Sequence, residues 1–197
     1  MIEINIDHKG KTFKAIVDDN QKHLKDMKWH IQGSRNIYYA RTYLKIKDKW
    51  IPKQMHHFII QPKKGNVIDH KNHNGLDNRE GNLRECTISQ NNMNSRKNEA
   101  MECSSKYKGV HKRKSGKSWT AAITIDGKQT YIGKFKTELE AGFAYNEKAI
   151  EIYKKYACLN SEKSFIDDYK ALNFFNESLL YRVEILQDAL DDKESMK

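Results

Sequence analysis

Within residues 66–97 an acid and an imidazole stand side by side, Asp69 and His70, and two carboxamides follow at wider intervals, Asn82 and Asn91. An imidazole ionises near neutrality, so a neutral histidine can take a proton from water at physiological pH. Carboxylate and carboxamide oxygens are donors for hard divalent cations, and magnesium takes only one or two of them because it keeps several waters. Together these groups are the parts of a metal-assisted hydrolysis. Taken alone, an Asp-His pair is a surface pair. Asp7-His8 is such a pair and has no asparagines at matching offsets.

The elements that must position these groups are legible around them. Val67 and Ile68 make a short apolar run, a turn-rich loop covers 72–81, and a second extended run covers 82–86. Thr87 and Gln90 have the T-x-x-Q spacing of a capping box, which starts a helix with Asn91 in its first turns. The order is strand, loop, strand, helix. Adjacent residues of a regular strand point to opposite faces, so Asp69 and His70 can share a site only where that strand ends or is distorted.

These residues resemble the HNH nuclease motif, the ββα-metal site, in the variant of phage and intron-encoded homing endonucleases. That variant has Asp-His, an Asn twelve residues after the His and another nine further on; Asp69-His70, Asn82 and Asn91 match both spacings, as do the flanking words GLDNREGNLR and SQNNMN. The resemblance implies DNA phosphodiester hydrolysis. His70 would be the general base, and Asp69 and Asn91 would be ligands of one Mg²⁺ or Mn²⁺ ion per site. Asn82 would hold the His70 backbone and ring by bonding across the loop. His73, Asn92 and Asn94 are weaker candidates.

Composition agrees with a polyanionic partner. The 197 residues carry a net charge of +10, unevenly placed: residues 1–160 hold 31 Lys and Arg against 17 Asp and Glu, whereas 161–197 hold 5 against 9. No apolar run approaches a membrane span and no signal peptide starts the chain, so a membrane partner is not expected. Cys86, Cys103 and Cys158 have no C-x-x-C pairing and read as small buried hydrophobes in a reducing compartment.

Upstream, Ile2, Ile4 and Ile6 alternate, as do Phe13, Ala15 and Val17, which predicts a hairpin turning at residues 9–11. Asp18 or Asp19 would cap a short helix holding Leu24 and Met27, and 37–46 reads as extended. This layout resembles the amino-terminal region of phage HNH proteins, with Tyr39-Ala40-Arg41 and Met55-His56-His57 in the places of that family's YAR and MHR words. His57 stands where the family has arginine, and His56 and His57 read as packing or capping residues.

Downstream, residues 98–104 read as a linker, and 107–113, 118–125 and 130–135 as three strands. Asp126-Gly127 is a tight-hairpin signal. Thr137 and Glu140 form a second capping box, which opens a helix from 138 to about 156 with Leu139, Phe143, Ile150 and Tyr153 on one face. The words YKGV, SGKSWTAAI, YIGKF, TELEAGFAYNEKAI and ACLN resemble the DNA-binding domain of the plant Apetala-two and ethylene-response-factor family, also found in phage homing endonucleases. The resemblance implies a sheet laid in the major groove of double-stranded DNA. Lys108, His111, Arg113, Thr124, Gln129 and Tyr131 would stand at the contact positions, with Lys112, Lys114 and Lys117 toward the backbone. The plant members are richer in arginine there; lysine and histidine suit phosphate better than guanine.

In 161–197, Phe175, Leu179, Val183, Leu186 and Leu190 recur at helical spacing, for a helix that packs back on the body or pairs two copies. The expected architecture is α+β: a ββα-metal nuclease domain with its amino-terminal region over 1–97, the 98–104 linker, a three-stranded antiparallel sheet plus helix over 105–160, and an acidic helical tail over 161–197. The expected function is a metal-dependent DNA endonuclease of a phage or mobile element, working in the host cytoplasm. We expect a monomer that nicks, with a homodimer through the tail as the other arrangement. The competing readings are a DNA-binding regulator without turnover and a restriction endonuclease.

Overall fold

A computed structural model describes residues 1–34, 37–97, 103–113 and 116–160. The tail and its apolar stripe, and most of the expected linker, lie outside the described residues. The chain divides into two compact units, Met1–Asn94 and Ser95–Lys197.

In the first unit, β1 (Ile2–His8) and β2 (Lys11–Val17) form the expected antiparallel hairpin, turning through Lys9 and Gly10 at positive φ. Ile4, Ile6, Ala15 and Val17 point inward and are buried. The expected capped helix is instead a 3₁₀ segment, Asp19–Asp26, whose N-cap Asp18 makes no side-chain capping bond. Asp18 accepts instead from the Glu80 amide at 2.7 Å. A three-stranded antiparallel sheet follows, with β4 (Ile37–Ile46) between β3 (His30–Ser34) and β5 (Lys49–Gln54). Ile31 and Ala40 face the core shared by Ile4, Ile6, Val17, Leu24, Trp29, Met55 and Leu76. Each such large side chain contributes about 1.5–3 kcal/mol on burial.

The short helix α1 (His56–Ile59) leads to β6 (Asn66–His70), which pairs antiparallel with β7 (Leu83–Thr87) before α2 (Ile88–Met93). Both halves of the Thr87–Gln90 capping box are formed. The intervening loop does not hang free. Ile16 of β2 donates to the Leu76 carbonyl and accepts from the Asn78 amide, both at 2.8 Å.

In the second unit, β9 (Trp119–Ile125) lies between β8 (Val110–Lys112) and β10 (Lys128–Phe135), antiparallel on both sides. Asp126 and Gly127 both have positive φ, the geometry of the tight hairpin. α3 (Glu138–Tyr153) opens on its complete capping box and packs Leu139 and Phe143 against Val110 and Ala121. The helix stops three residues short of the expected end, where Lys154 takes φ 50° and a 3₁₀ turn, Lys154–Tyr156, follows. β8 is shorter than its expected strand because Tyr107 is enclosed in the core, not laddered. Cys86 and Cys158 are buried as expected, but Cys103 is exposed.

Candidate active site

β6 carries Asp69 and His70 at its last two positions, each 6% exposed, and the strand ends there. The pleat sends the two side chains to different neighbours. Asp69 meets Arg84, its cross-strand partner on β7, through Nε at 2.8 Å and Nη2 at 2.6 Å, both on Oδ2. Asn94, buried at the end of α2, donates to both Asp69 oxygens at 3.0 Å and to the His70 carbonyl at 3.2 Å. One carboxamide thus ties the helix to both residues of the pair.

His70 turns toward β4 and α1. Its ring lies 5.7 Å from that of Tyr39 and 5.1 Å from that of His56, centroid to centroid. Its Nε2 is 3.3 Å from Oδ1 of Asn78. The Asn78 amide nitrogen donates to the Leu76 carbonyl, so the oxygen is the atom turned to the ring. Nε2 therefore carries the proton as donor, and Nδ1 keeps the lone pair. Burial holds the His70 pKa below its usual value, against the opposing Asn78 bond and the charges of Asp69 and Asp77. Burial thus favours the neutral imidazole, the form that a proton acceptor needs. Burial, with His70 and His57 adding to it, lowers His56 to about 3.

Asn82 closes the loop from inside. Its Nδ2 donates to the Asp77 carbonyl at 2.7 Å, its Oδ1 accepts from the Asn72 amide at 3.1 Å, and its own carbonyl accepts from the Lys71 amide at 2.9 Å. All three bonds fall on residues within twelve positions of His70, so the strand end cannot shift without breaking them. Asp77 is held in turn by Arg79 Nε at 2.8 Å and Nη2 at 2.7 Å. His73 takes φ 63° in the turn and its amide donates to the His70 carbonyl. Asn91 lies half-buried on α2, three residues before Asn94 and so on the same helix face. Asn92 is exposed.

The donor set fits a hard divalent ion. Oδ1 of Asp69 accepts one described hydrogen bond and has a second lone pair. The Asn91 carboxamide, on the same helix face as Asn94, would be the second oxygen donor. Among the described residues no group of three or more His, Cys, Asp and Glu could hold a metal. A mostly water-ligated ion does not need one.

The spacing pattern did not single out Asn78, Arg84, Tyr39 or His56, and it ranked Asn94 low. Asn94 carried a signal, the three-residue step from Asn91 along one helix face. The others meet the pair only through tertiary folding.

In the second unit, His111, Thr124, Gln129 and Tyr131 stand on the sheet face opposite α3, as the register pairing Gln129 with Thr124 and Tyr131 with Ala122 requires. Arg113, just past β8, is exposed. Lys108 differs: burial lowers its pKa, and its Nζ donates to the Ser95 carbonyl at 2.6 Å.

A strand-loop-strand-helix unit with imidazole and carboxylate at the strand end defines a ββα site. A protein-family profile described as HNH endonuclease matches residues 61–93. An uncharacterised HNH endonuclease of Acanthamoeba polyphaga mimivirus is 30% identical over 139 residues, which cover 68% of this chain and 71% of the relative. No solved structure gives a significant match. The chain belongs to the HNH endonuclease family. That membership points to nuclease activity and to a DNA substrate. Among the described residues no helix is long and apolar enough to cross a membrane.

Proposed function

We propose that the chain is a metal-dependent DNA endonuclease that hydrolyses one phosphodiester per site, of the homing type carried by phages and mobile elements. The observation that carries this is the buried His70 at the end of β6, beside the Asp69 carboxylate, with the loop after it tied by Asn82. Nδ1 of His70 takes the proton from the attacking water. Asn78 keeps Nε2 protonated, and Asn82 keeps the strand end in place. Asp69 and Asn91 hold one Mg²⁺ or Mn²⁺ ion, whose chemistry, when bound, is to counter charge on the phosphate and the leaving oxygen. Arg84 and Asn94 orient Asp69 for that role.

The second unit serves as an Apetala-two-like docking sheet. His111, Arg113, Thr124, Gln129 and Tyr131 face duplex DNA, while Lys108 steadies its own unit. A single site with one base suits a monomer that nicks one strand at a time. The test is incubation of the purified full chain with phage-sized DNA, with and without Mg²⁺, followed by mapping of the ends. His70→Ala should lower the cleavage rate by roughly a hundredfold to ten-thousandfold and leave DNA affinity nearly unchanged. Cleavage by that variant at the wild-type rate would remove His70 from the mechanism.

A further inference from the structure

The face of the β3–β4–β5 sheet turned away from the core carries a row of side chains that, beyond Tyr39, the catalytic site does not use. Tyr39, Arg41, Tyr43 and Lys45 alternate along β4 and so share one face. The register adds their cross-strand partners: His30 and Gln54 beside Arg41, Pro52 beside Tyr43 and Trp50 beside Lys45. The row starts at the active site, because Tyr39 packs against His70 and His56. It ends on a two-stranded ribbon whose apolar side chains are open to solvent, with Trp50 66% exposed.

Two features of this row point to an anion. Nε of Arg41 is buried and meets no hydrogen-bond acceptor, and it is the one such side-chain atom among the described residues. A buried donor left unpaired costs free energy; Arg41 as a whole is half-buried, so an oxyanion that drew its guanidinium outward would give Nε an acceptor and recover that cost. The charge on this face is also positive on balance. Arg41 and Lys45 stand on it and Lys47 in the turn beyond it, against Asp48, which pairs with Lys45 at 3.0 Å; Lys49 and Lys53 pair with Ile46 and Thr42 on the other face. The Arg41 guanidinium is fixed 5.1 Å over the Tyr43 ring, and His30 meets that ring edge-on. An aromatic row flanked by cations suits the sugar-phosphate backbone of a polynucleotide.

We propose that this face binds the duplex beside the cleaved bond, with a backbone phosphate on Arg41 and the neighbouring nucleotides against Tyr43 and Trp50. From Arg41 to Lys45 the strand runs about 14 Å, the axial rise of about four base pairs. The proposal rests on the chain being a DNA endonuclease.

The test uses the full chain and a 40-bp duplex of mixed sequence, about that length so that one protein covers part of it. Binding is measured by anisotropy in EDTA over a range of salt concentrations, and cleavage is followed separately with Mg²⁺ or Mn²⁺. Arg41→Gln should weaken binding about tenfold and reduce the slope of log affinity against log salt by about one. Trp50→Ala should weaken binding about five- to tenfold with the slope unchanged, because an apolar contact with the sugars releases no counterions. Wild-type affinity and slope in both variants would overturn the proposal while leaving the nuclease reading intact. A wild-type chain that binds but never cuts would sink the nuclease reading, and the titration would still decide the face. If Arg41→Gln fails to fold, the exposed pair Trp50→Ala and Lys45→Ala decides by the same two readouts.

Discussion

His70 is bounded by groups that act on it in different ways: Asn78 fixes its tautomer, Tyr39 and His56 dry it, and Asn94 holds its carbonyl. Asn94 deserves its own variant because it also grips both Asp69 oxygens. Asn94→Ala should raise the Mg²⁺ concentration needed for half-maximal cleavage by about ten- to a hundredfold, the usual cost of losing a partner that orients a ligand. A metal titration unchanged from wild type would show that Asp69 orients itself. His56 sets a limit on acid tolerance. An unfolded imidazole takes its proton as pH falls through 6.5, whereas folded His56 stays neutral until about 3. Between those values the unfolded chain binds more protons, so stability falls as pH falls, by up to about 1.4 kcal/mol per pH unit. Above that window His56 has no pH effect. Burial lowers His70 and His57 as well, which adds in the same direction. Urea unfolding at pH 7 and pH 5 should show the loss, and His56→Gln should make it smaller. Spacing alone marked Asp69, His70, Asn82 and Asn91. It missed Tyr39 and His56, because they reach the site from β4 and α1, 31 and 14 residues before His70.

At the scale of elements, one position shows how tightly the loop is seated. A Cβ on Gly75 would lie 2.4 Å from the Tyr39 ring and 2.5 Å from the Tyr38 carbonyl. The carbonyl belongs to the central strand of a sheet and cannot yield. Gly75→Ala should therefore cost about 1–3 kcal/mol through overpacking and lower cleavage by shifting the loop that carries Asn78. Parallel urea and cleavage measurements check it; an unchanged midpoint with full activity would mean that the loop adapts. The elements most legible in the sequence were those with local rules. Both capping boxes, the Asp126-Gly127 hairpin and the alternation of β1 and β2 are set by residues a few positions apart. The segment after Asp18 is a 3₁₀ helix and not a side-chain-capped one: the Asp18 carboxylate accepts from the amide of Glu80, 62 residues away. No local rule registers a partner at that distance.

For the whole molecule, the division after Asn94 makes the contribution of each unit measurable. A chain ending at Met101 retains every proposed catalytic residue and the Arg41 face. It should cut DNA with Mg²⁺, more weakly than the full chain at equal salt and with less preference among sites. End mapping on phage-sized DNA reads both quantities. Undiminished site preference in the short chain would mean that the sheet bearing Thr124, Gln129 and Tyr131 does not direct cleavage. Composition foresaw a basic body, but charge counting does not say which face carries it. That required the strand register, which sets Arg41, Tyr43 and Lys45 on one side and Ala40 and Thr42 on the other.

The pair of backbone bonds between Ile16 and the loop has a consequence for ancestry and for engineering. Main-chain groups make both bonds, so residues 16, 76 and 78 can drift in identity without losing them. The stretch that the family profile matches, 61–93, is thus narrower than the piece whose backbone bonds hold its loop. A designer who moves only that stretch leaves behind the strand on which its loop is hung. A transplant should start at the first hairpin.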